Sequence, residues 1–137
     1  MRLTSKEGIL FNPDPAAYLP HRNPFLLIDR LLALEPGIAA TGQKLISHDP
    51  AGFPPFFLIE AMAQLAGIAA ADQNGAGGFL AAIDKAEISG SVEAGDTLQI
   101  TARILKGFGR LYLVEGEVQV AGRTVAAATM TIGIGKL

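Results

Sequence analysis

The sequence predicts an α+β fold in which one long apolar helix is enclosed by a curved antiparallel sheet. The segment Phe53–Ala71 is apolar almost all the way round and is long enough for several helical turns. It is followed by a series of segments in which apolar and polar residues alternate, as they do in half-buried strands. A helix that is hydrophobic on every side needs cover on every side, and a wrapped sheet supplies it.

Prolines mark the start of the predicted helix and polar residues mark its end. Pro54 and Pro55 suit the first turn, where backbone N–H groups have no partner within the helix. Residues 72–75, Asp-Gln-Asn-Gly, provide the stop. A membrane span is the alternative for a segment of this length. It would place the Glu60 carboxylate near the middle of a bilayer at a high cost, so we favour the enclosed helix.

The chain before the helix is predicted to contain one hairpin. Residues 1–18 are expected to form an irregular lead-in with a helical turn near Pro15–Tyr18. Phe25–Leu34 and Ile38–Ser47 are predicted to be strands, and the Glu35–Gly37 segment between them has the composition of a turn.

Four more strands are predicted after the helix. Glycine-containing turns separate most of these segments. The clearest alternation places Leu98, Ile100, Ala102 and Ile104 on one face of a strand. The predicted strands are Phe79–Ser89, Thr97–Lys106, Leu111–Val120 and Arg123–Ile134.

Composition narrows the classes of function. The 137 residues suit a single domain spanning 1–137, and the 50% hydrophobic content suggests a buried subunit interface. Without cysteine there is no disulfide or zinc–thiolate site, and two histidines make a histidine-rich metal site unfavourable. The net charge of -2 gives no reason to expect nucleic-acid binding. The N-terminus lacks a signal-like apolar core, so we expect a cytoplasmic protein. We also expect no metal, and neither nucleic acid nor membrane as a partner.

Glu60 and Gln64 are the polar residues of the predicted helix, and their spacing places them on one face. A carboxyl group in an apolar setting needs a polar partner or keeps its proton, and either state suits acid–base chemistry. A purely structural acid bonded to backbone is the alternative. We predict that Glu60 is functional and that Gln64 positions Glu60 or a loop.

Two loop histidines and three aromatic residues complete the set of candidates. His48 precedes the helix and is equally well interpreted as a proton acceptor or as an ordinary loop residue. His21 is expected to be structural. The aromatic residues near the helix start are expected to line the core or a substrate tunnel, and they are Phe53, Phe56 and Phe57.

Three segments of the chain carry motifs in a fixed order. They are LPHR at 19–22 with PFLLIDR at 24–30, LIEAMAQ at 58–64 with Ala66-Gly67, and AIDKA at 82–86 with Gly95-Asp96. In these motifs and their order, the chain from residue 19 onward resembles the beta-hydroxyacyl-acyl carrier protein dehydratases of fatty-acid synthesis.

The resemblance implies the hotdog fold, with dimers joined edge to edge and sites between protomers. It implies a substrate carried on the phosphopantetheine arm of acyl carrier protein or of CoA, and no dissociable cofactor. His48 would then remove the proton beside the thioester carbonyl, and Glu60 of the partner subunit would protonate the departing hydroxyl. The implied substrate-binding residues are Gln64, Phe53, Phe56 and Phe57.

Two positions depart from the family pattern. His48 lies twelve residues before Glu60, two fewer than the family pattern has, so the loop is shortened. Pro55 stands where the family has a glycine whose N–H helps to hold the thioester oxygen, and the Phe56 N–H is the expected substitute. These departures keep open a non-catalytic subunit that binds an acyl carrier. A hotdog acyl thioesterase, in which Glu60 activates water, is the other alternative.

Overall fold

The fold consists of a six-stranded antiparallel sheet packed around one α-helix. It was obtained as a computed structural model that describes residues 3–4, 10–19, 26–47, 53–71 and 78–135. The elements in chain order are β1 (Leu3–Thr4), β2 (Leu10–Phe11), a 3-10 turn (Pro15–Ala17), β3 (Arg30–Glu35), β4 (Ala39–Leu45), α1 (Pro55–Ala70), β5 (Gly78–Ile88), β6 (Thr97–Phe108), β7 (Leu111–Val120) and β8 (Arg123–Ile134).

The main sheet has the strand order β3-β4-β6-β7-β8-β5, and every neighbouring pair is antiparallel. Strand β5 follows the helix but pairs with β8, at the edge opposite β3. The chain therefore passes through the helix from the β3–β4 edge of the sheet to the β5 edge, and the helix lies against one face of the sheet. This is the predicted architecture of a central helix wrapped by a sheet.

One face of the sheet and most of the helix surface form the core. Leu98, Ile100 and Ala102 of β6 are buried, whereas the residues between them are exposed, so the predicted alternation is confirmed. Gly116 of β7 lies under Met62 of α1, and a Cβ atom at this glycine would come within 2.8–2.9 Å of the methionine side chain. The helix therefore sits close to the sheet at this point because Gly116 has no side chain.

The cover over the helix is incomplete at its first turn. Burial begins at Leu58 and continues to Ala69, but Phe56 and Phe57 are 55% and 42% exposed. The expectation that the sheet encloses the whole apolar segment is therefore wrong for this turn. No helix in the described part of the chain is long and apolar enough to cross a membrane.

The segment before β3 differs from its prediction. The strand begins at Arg30 instead of Phe25, and residues 26–28 have no regular secondary structure. Residues 26–28 do not extend the strand because the Leu27 N–H donates to the side-chain oxygen of Gln64 on the helix instead of to a neighbouring strand. The apolar run therefore spans a loop that contacts the helix and a shorter strand.

The lead-in contains more structure than was predicted. Strands β1 and β2 form a short antiparallel pair in which Leu3 is opposite Phe11. Strands of two residues are too short to show any periodicity in a sequence. The predicted helical turn is confirmed as the 3-10 turn, which is capped by Asp14 through a bond from the Ala16 N–H at 3.0 Å.

The turn between β3 and β4 also holds the end of the helix. Gly37 has a φ of +78°, which glycine adopts without strain, and its N–H donates to the Ala69 carbonyl at 2.7 Å. One of the last helical carbonyls is thus satisfied by the hairpin. Helix α1 ends at Ala70, and the predicted stop at 72–75 lies outside the described residues.

The seat of the helix on Gly116 can be tested by adding one methyl group. Gly116→Ala forces Met62 and its helix away from the sheet, and we expect a loss of about 1–3 kcal/mol in the free energy of unfolding. Urea denaturation measures this loss. Gly107→Ala is the matched control, because its added Cβ would lie 3.2 Å from the half-buried Tyr112 ring, which belongs to the sheet and not to the helix. Equal stability losses in the two variants would contradict the close approach of the helix to the sheet at Gly116.

Candidate functional site

One face of the helix borders a cleft of about 180 Å³. The helical residues that line it recur at intervals of three and four, so they form one stripe along α1. The opposite wall comes from β5 and from the end of the lead-in. The lining residues are Glu60, Ala63, Gln64, Gly67, Leu19, Phe79 and Leu80. Two of these side chains, Glu60 and Gln64, are polar, and both lie on the helix.

Gln64 is the one buried polar residue among the described residues, at 3% exposure. Its Oε1 accepts from the Leu27 N–H at 2.8 Å, and its Nε2 donates to Oε1 of Glu60 at 3.3 Å. A backbone N–H needs an acceptor, so the bond to Leu27 fixes which end of the amide is oxygen and turns the NH₂ group toward Glu60. Gln64 therefore links the segment before β3 to the carboxyl group in the cleft.

Glu60 lies half-buried at the cleft and carries the carboxyl group there. The amide donor of Gln64, one turn further along the helix, restricts the rotation of this carboxyl group. A positioned carboxyl group beside an open space is the arrangement that proton transfer to a bound molecule requires. The Glu60 carboxyl group has such a space beside it.

The three phenylalanines near the helix start lie away from this cleft. Phe53 is partly buried against the core, and its ring meets the ring of Phe57 edge to face at 5.5 Å between centroids. Phe56 and Phe57 are exposed, and none of the three lines the cleft. Their predicted contact with substrate stays a prediction.

The walls that sequence reasoning missed are Leu19, Phe79 and Leu80. Phe79 and Leu80 follow a glycine-rich segment and open a predicted strand. Because side chains alternate along a strand, the sequence shows which residues of β5 share a face. It does not show which strand lies beside β5, because the sheet topology determines that. The signal that would have placed them is the pairing of β5 with β8, which brings the start of β5 beside Gly67.

The start of the helix offers one backbone donor. Pro54 precedes the helix and Pro55 is its first residue, so neither contributes an N–H. The Phe57 N–H donates to the Pro54 carbonyl at 2.9 Å. The Phe56 N–H belongs to the first turn, where N–H groups have no intrahelical acceptor. His48 and His21 lie outside the described residues, so the reach of His48 to Glu60 stays a prediction.

A larger concavity of about 510 Å³ lies on the outer face of the sheet, away from the helix. Some of its charged groups have partners. Arg103 bonds Glu115, and the Glu117 carboxylate accepts hydrogen bonds from the Gln119 and Thr124 side chains. It shares no lining residue with the cleft. We place the candidate site at the smaller cleft because the positioned acid is there.

Comparison with known proteins decides the family. A sequence model of the ApeP-like family, described as ApeP dehydratase, matches residues 13–133. This chain belongs to the ApeP-like dehydratase family.

Individual relatives of this ApeP-like chain are dehydratases by name. The 3-hydroxyacyl-[acyl-carrier-protein] dehydratase FabZ of Roseiflexus castenholzii is 38% identical over 130 residues, covering 81% of this chain and 91% of the relative. The FabZ dehydratase of Campylobacter hominis is 34% identical over 128 residues, covering 82% and 88%. The predicted family and a dehydratase-like function are thereby confirmed.

Solved structures confirm the hotdog fold of the ApeP-like chain. The dehydratase heterocomplex ApeI:P from Xenorhabdus doucetiae has a chain that matches with a TM-score of 0.79 at 20% identity, covering 92% of this chain and 93% of that one. A thioesterase superfamily member from zebra fish matches with a TM-score of 0.64 at 16% identity, covering 77% and 80%. At these identities the likeness establishes the fold alone.

The link made by Gln64 can be tested through stability. Gln64→Leu removes the acceptor of the buried Leu27 N–H, and we expect a loss of about 1–3 kcal/mol in the free energy of unfolding. Chemical denaturation measures the loss. Gln119→Leu is the matched control, because its half-buried amide donates only to the Glu117 side chain. If both variants lose the same small amount, Gln64 does not hold the segment before β3.

Proposed function

We propose that the chain removes water from 3-hydroxyacyl thioesters, with Glu60 as the acid. The observation that carries the proposal is the carboxyl group of Glu60, which Gln64 positions beside a cleft whose remaining wall residues have no polar side chain. The FabZ relatives, named as 3-hydroxyacyl-[acyl-carrier-protein] dehydratases, support the same reaction class.

The reaction needs a base, an acid and a donor for the carbonyl oxygen. In the proposed sequence His48 takes a proton from the carbon beside the thioester carbonyl. The Phe56 N–H donates to the carbonyl oxygen as negative charge develops there. Glu60 gives its proton to the departing hydroxyl, so that water leaves and a carbon–carbon double bond forms.

The walls of the cleft suit the acyl chain of such a substrate. Ala63 and Gly67 follow Glu60 along the helix and have the smallest side chains on that stripe. The acyl chain lies along them, away from the carboxyl group, against Leu80. The substrate is proposed to arrive on the phosphopantetheine of acyl carrier protein or of CoA, and the reaction needs no dissociable cofactor.

Strand β5 supports an assembly of two chains. Residues 81–89 are exposed throughout, and Ile83 and Ile88 are 41% and 39% exposed. β5 is an edge strand of eleven residues, and a long apolar edge is suited to pairing with another strand. We propose a cytoplasmic homodimer joined through β5, in which His48 of one chain serves Glu60 of the partner subunit.

The proposed acid can be tested directly. The full chain is incubated with 3-hydroxyacyl, 2-enoyl and saturated acyl thioesters on acyl carrier protein and on CoA, and the products are identified by mass. We expect loss of water from the 3-hydroxyacyl substrate. Glu60→Gln is expected to lower kcat by about a hundredfold to ten-thousandfold, because the amide has no proton to donate to the hydroxyl.

Glu93→Gln, in the exposed turn before β6, is the control and is expected to keep the natural rate. Turnover that survives in Glu60→Gln would show that another group is the acid. Release of free acid and thiol would instead identify a thioesterase. Retained binding of the acyl carrier without any turnover would identify a non-catalytic subunit.

The proposed dimer edge can be tested by charge. Ile83→Lys places an ammonium group on the exposed edge strand and opposes a second lysine across a symmetric contact, so we expect the molar mass to fall from dimer to monomer. Size-exclusion chromatography with light scattering measures it. Leu45→Lys is the control, because Leu45 is 54% exposed on the paired strand β4. A dimer that persists in Ile83→Lys places the interface elsewhere.

A further inference from the structure

The hairpin between β6 and β7 ends in an exposed apolar tip, which consists of Leu105, Lys106, Phe108, Arg110 and Leu111. Its three apolar side chains are 43%, 53% and 41% exposed in chain order. Phe108 and Leu111 are direct register partners, so both point to the outer face of the sheet, away from the helix. Neither is used by the proposed active site. Apolar groups clustered at one exposed tip indicate a contact surface.

The tip projects beyond the neighbouring strand. Strand β4 pairs with β6 only as far as Arg103, opposite Ala39, whereas β6 continues to Phe108. The extra five residues extend about 15 Å at the usual rise of a strand. On its other side the hairpin is held by β8, since Leu111 is opposite Gly133 and the Arg110 Nε donates to the Ile134 carbonyl at 3.0 Å. The tip therefore extends past β4 on one side and is held by β8 on the other.

The charge of the tip is opposite in sign to that of the chain. The tip contains Lys106 and Arg110 but no aspartate or glutamate, although the whole chain has a net charge of -2, and the nearby Arg103 is paired with Glu115. The Lys106 ammonium lies 4.8 Å from the centroid of the Phe108 ring. Cations and apolar side chains are thus combined within a few residues. A surface that binds this tip has to be anionic and has to accept apolar groups.

We propose that the hairpin tip contacts an anionic lipid surface, with Phe108 and Leu111 entering the headgroup boundary. Exposed apolar side chains enter a fluid interface without a shaped receptor, and Lys106 and Arg110 then lie at the level of the anionic headgroups. A second copy of the chain is a poor occupant, because a symmetric contact would bring the same cations together. The contact is peripheral, and it revises the sequence-based expectation that the protein has no membrane partner.

The chain contains no tryptophan, so one introduced tryptophan reports on its own surroundings. Phe108→Trp keeps an aromatic ring at the tip, and Leu45→Trp places the same reporter on an exposed site of β4. Each full-length variant is titrated with vesicles of pure phosphatidylcholine and with vesicles containing one third phosphatidylglycerol. We expect a blue shift of emission only for the tip reporter, and only with the anionic vesicles.

The cations are tested by vesicle flotation. The double variant Lys106→Gln with Arg110→Gln is expected to bind the anionic vesicles roughly thirtyfold more weakly than the natural chain, because each surface cation contributes about fivefold. Arg30→Gln with Arg123→Gln removes the same charge from exposed positions elsewhere and is expected to change binding by less than about threefold. Circular dichroism confirms that each variant is folded.

Three results would overturn the proposal. The first is an unchanged emission of the tip reporter in anionic vesicles. The second is an equal shift of both reporters, which indicates non-specific adsorption. The third is tip variants that keep vesicle binding but lose binding to acyl carrier protein, which would assign the tip to an acidic protein. Dehydration of a freely dissolved thioester tests the proposed activity separately from all three.

Discussion

Enclosure of α1 against one face of a single sheet is the constraint on which the rest of the structure depends. The sheet can approach the helix because Gly116 leaves room for Met62, and alternate residues of β6, β7 and β8 then cover the buried helical surface. Burying a polar side chain on such a helix is costly unless the side chain has a hydrogen-bond partner or lies at a gap in the cover. Gln64 bonds to the Leu27 N–H and to Glu60. Glu60, one turn earlier, lies at the cleft, where the sheet does not cover the helix.

The architecture was predictable because its signals are local. Apolar content around the whole of one segment indicates an enclosed helix, and period-two alternation gives the buried face of β6 and β7. The extent of β7 was predicted, whereas β6 runs past its predicted end at Lys106 to Phe108, beyond a register shift that interrupts the alternation. The turns at Gly37 and Gly122 were predictable for the same reason, since their positive φ values of +78° and +79° favour glycine. The misplaced start of β3 has a different origin. The bond between Leu27 and Gln64 joins residues that are far apart in sequence, and no local pattern reports it.

The candidate site was predictable in part. The spacing of Glu60 and Gln64 placed both on one helical face, and the observed bond between their side chains follows from that spacing. The opposite wall of the cleft was not predictable, because Phe79 and Leu80 reach the helix only through the pairing of β5 with the distant strand β8. The exposed ring of Phe56 has a related cause. A sequence reports how apolar a segment is, but the amount of surface that one chain covers depends on where its sheet ends.

The contact between the Gly37 amide and the Ala69 carbonyl has a consequence for how the molecule opens. An amide in a surface turn ordinarily exchanges its hydrogen with water rapidly, because little has to move to expose it. At Gly37 the hydrogen is released only when the hairpin separates from the last turn of the helix. Slow exchange in the β3–β4 turn would therefore report the breathing of the helix terminus, and the two elements would behave as one cooperative unit.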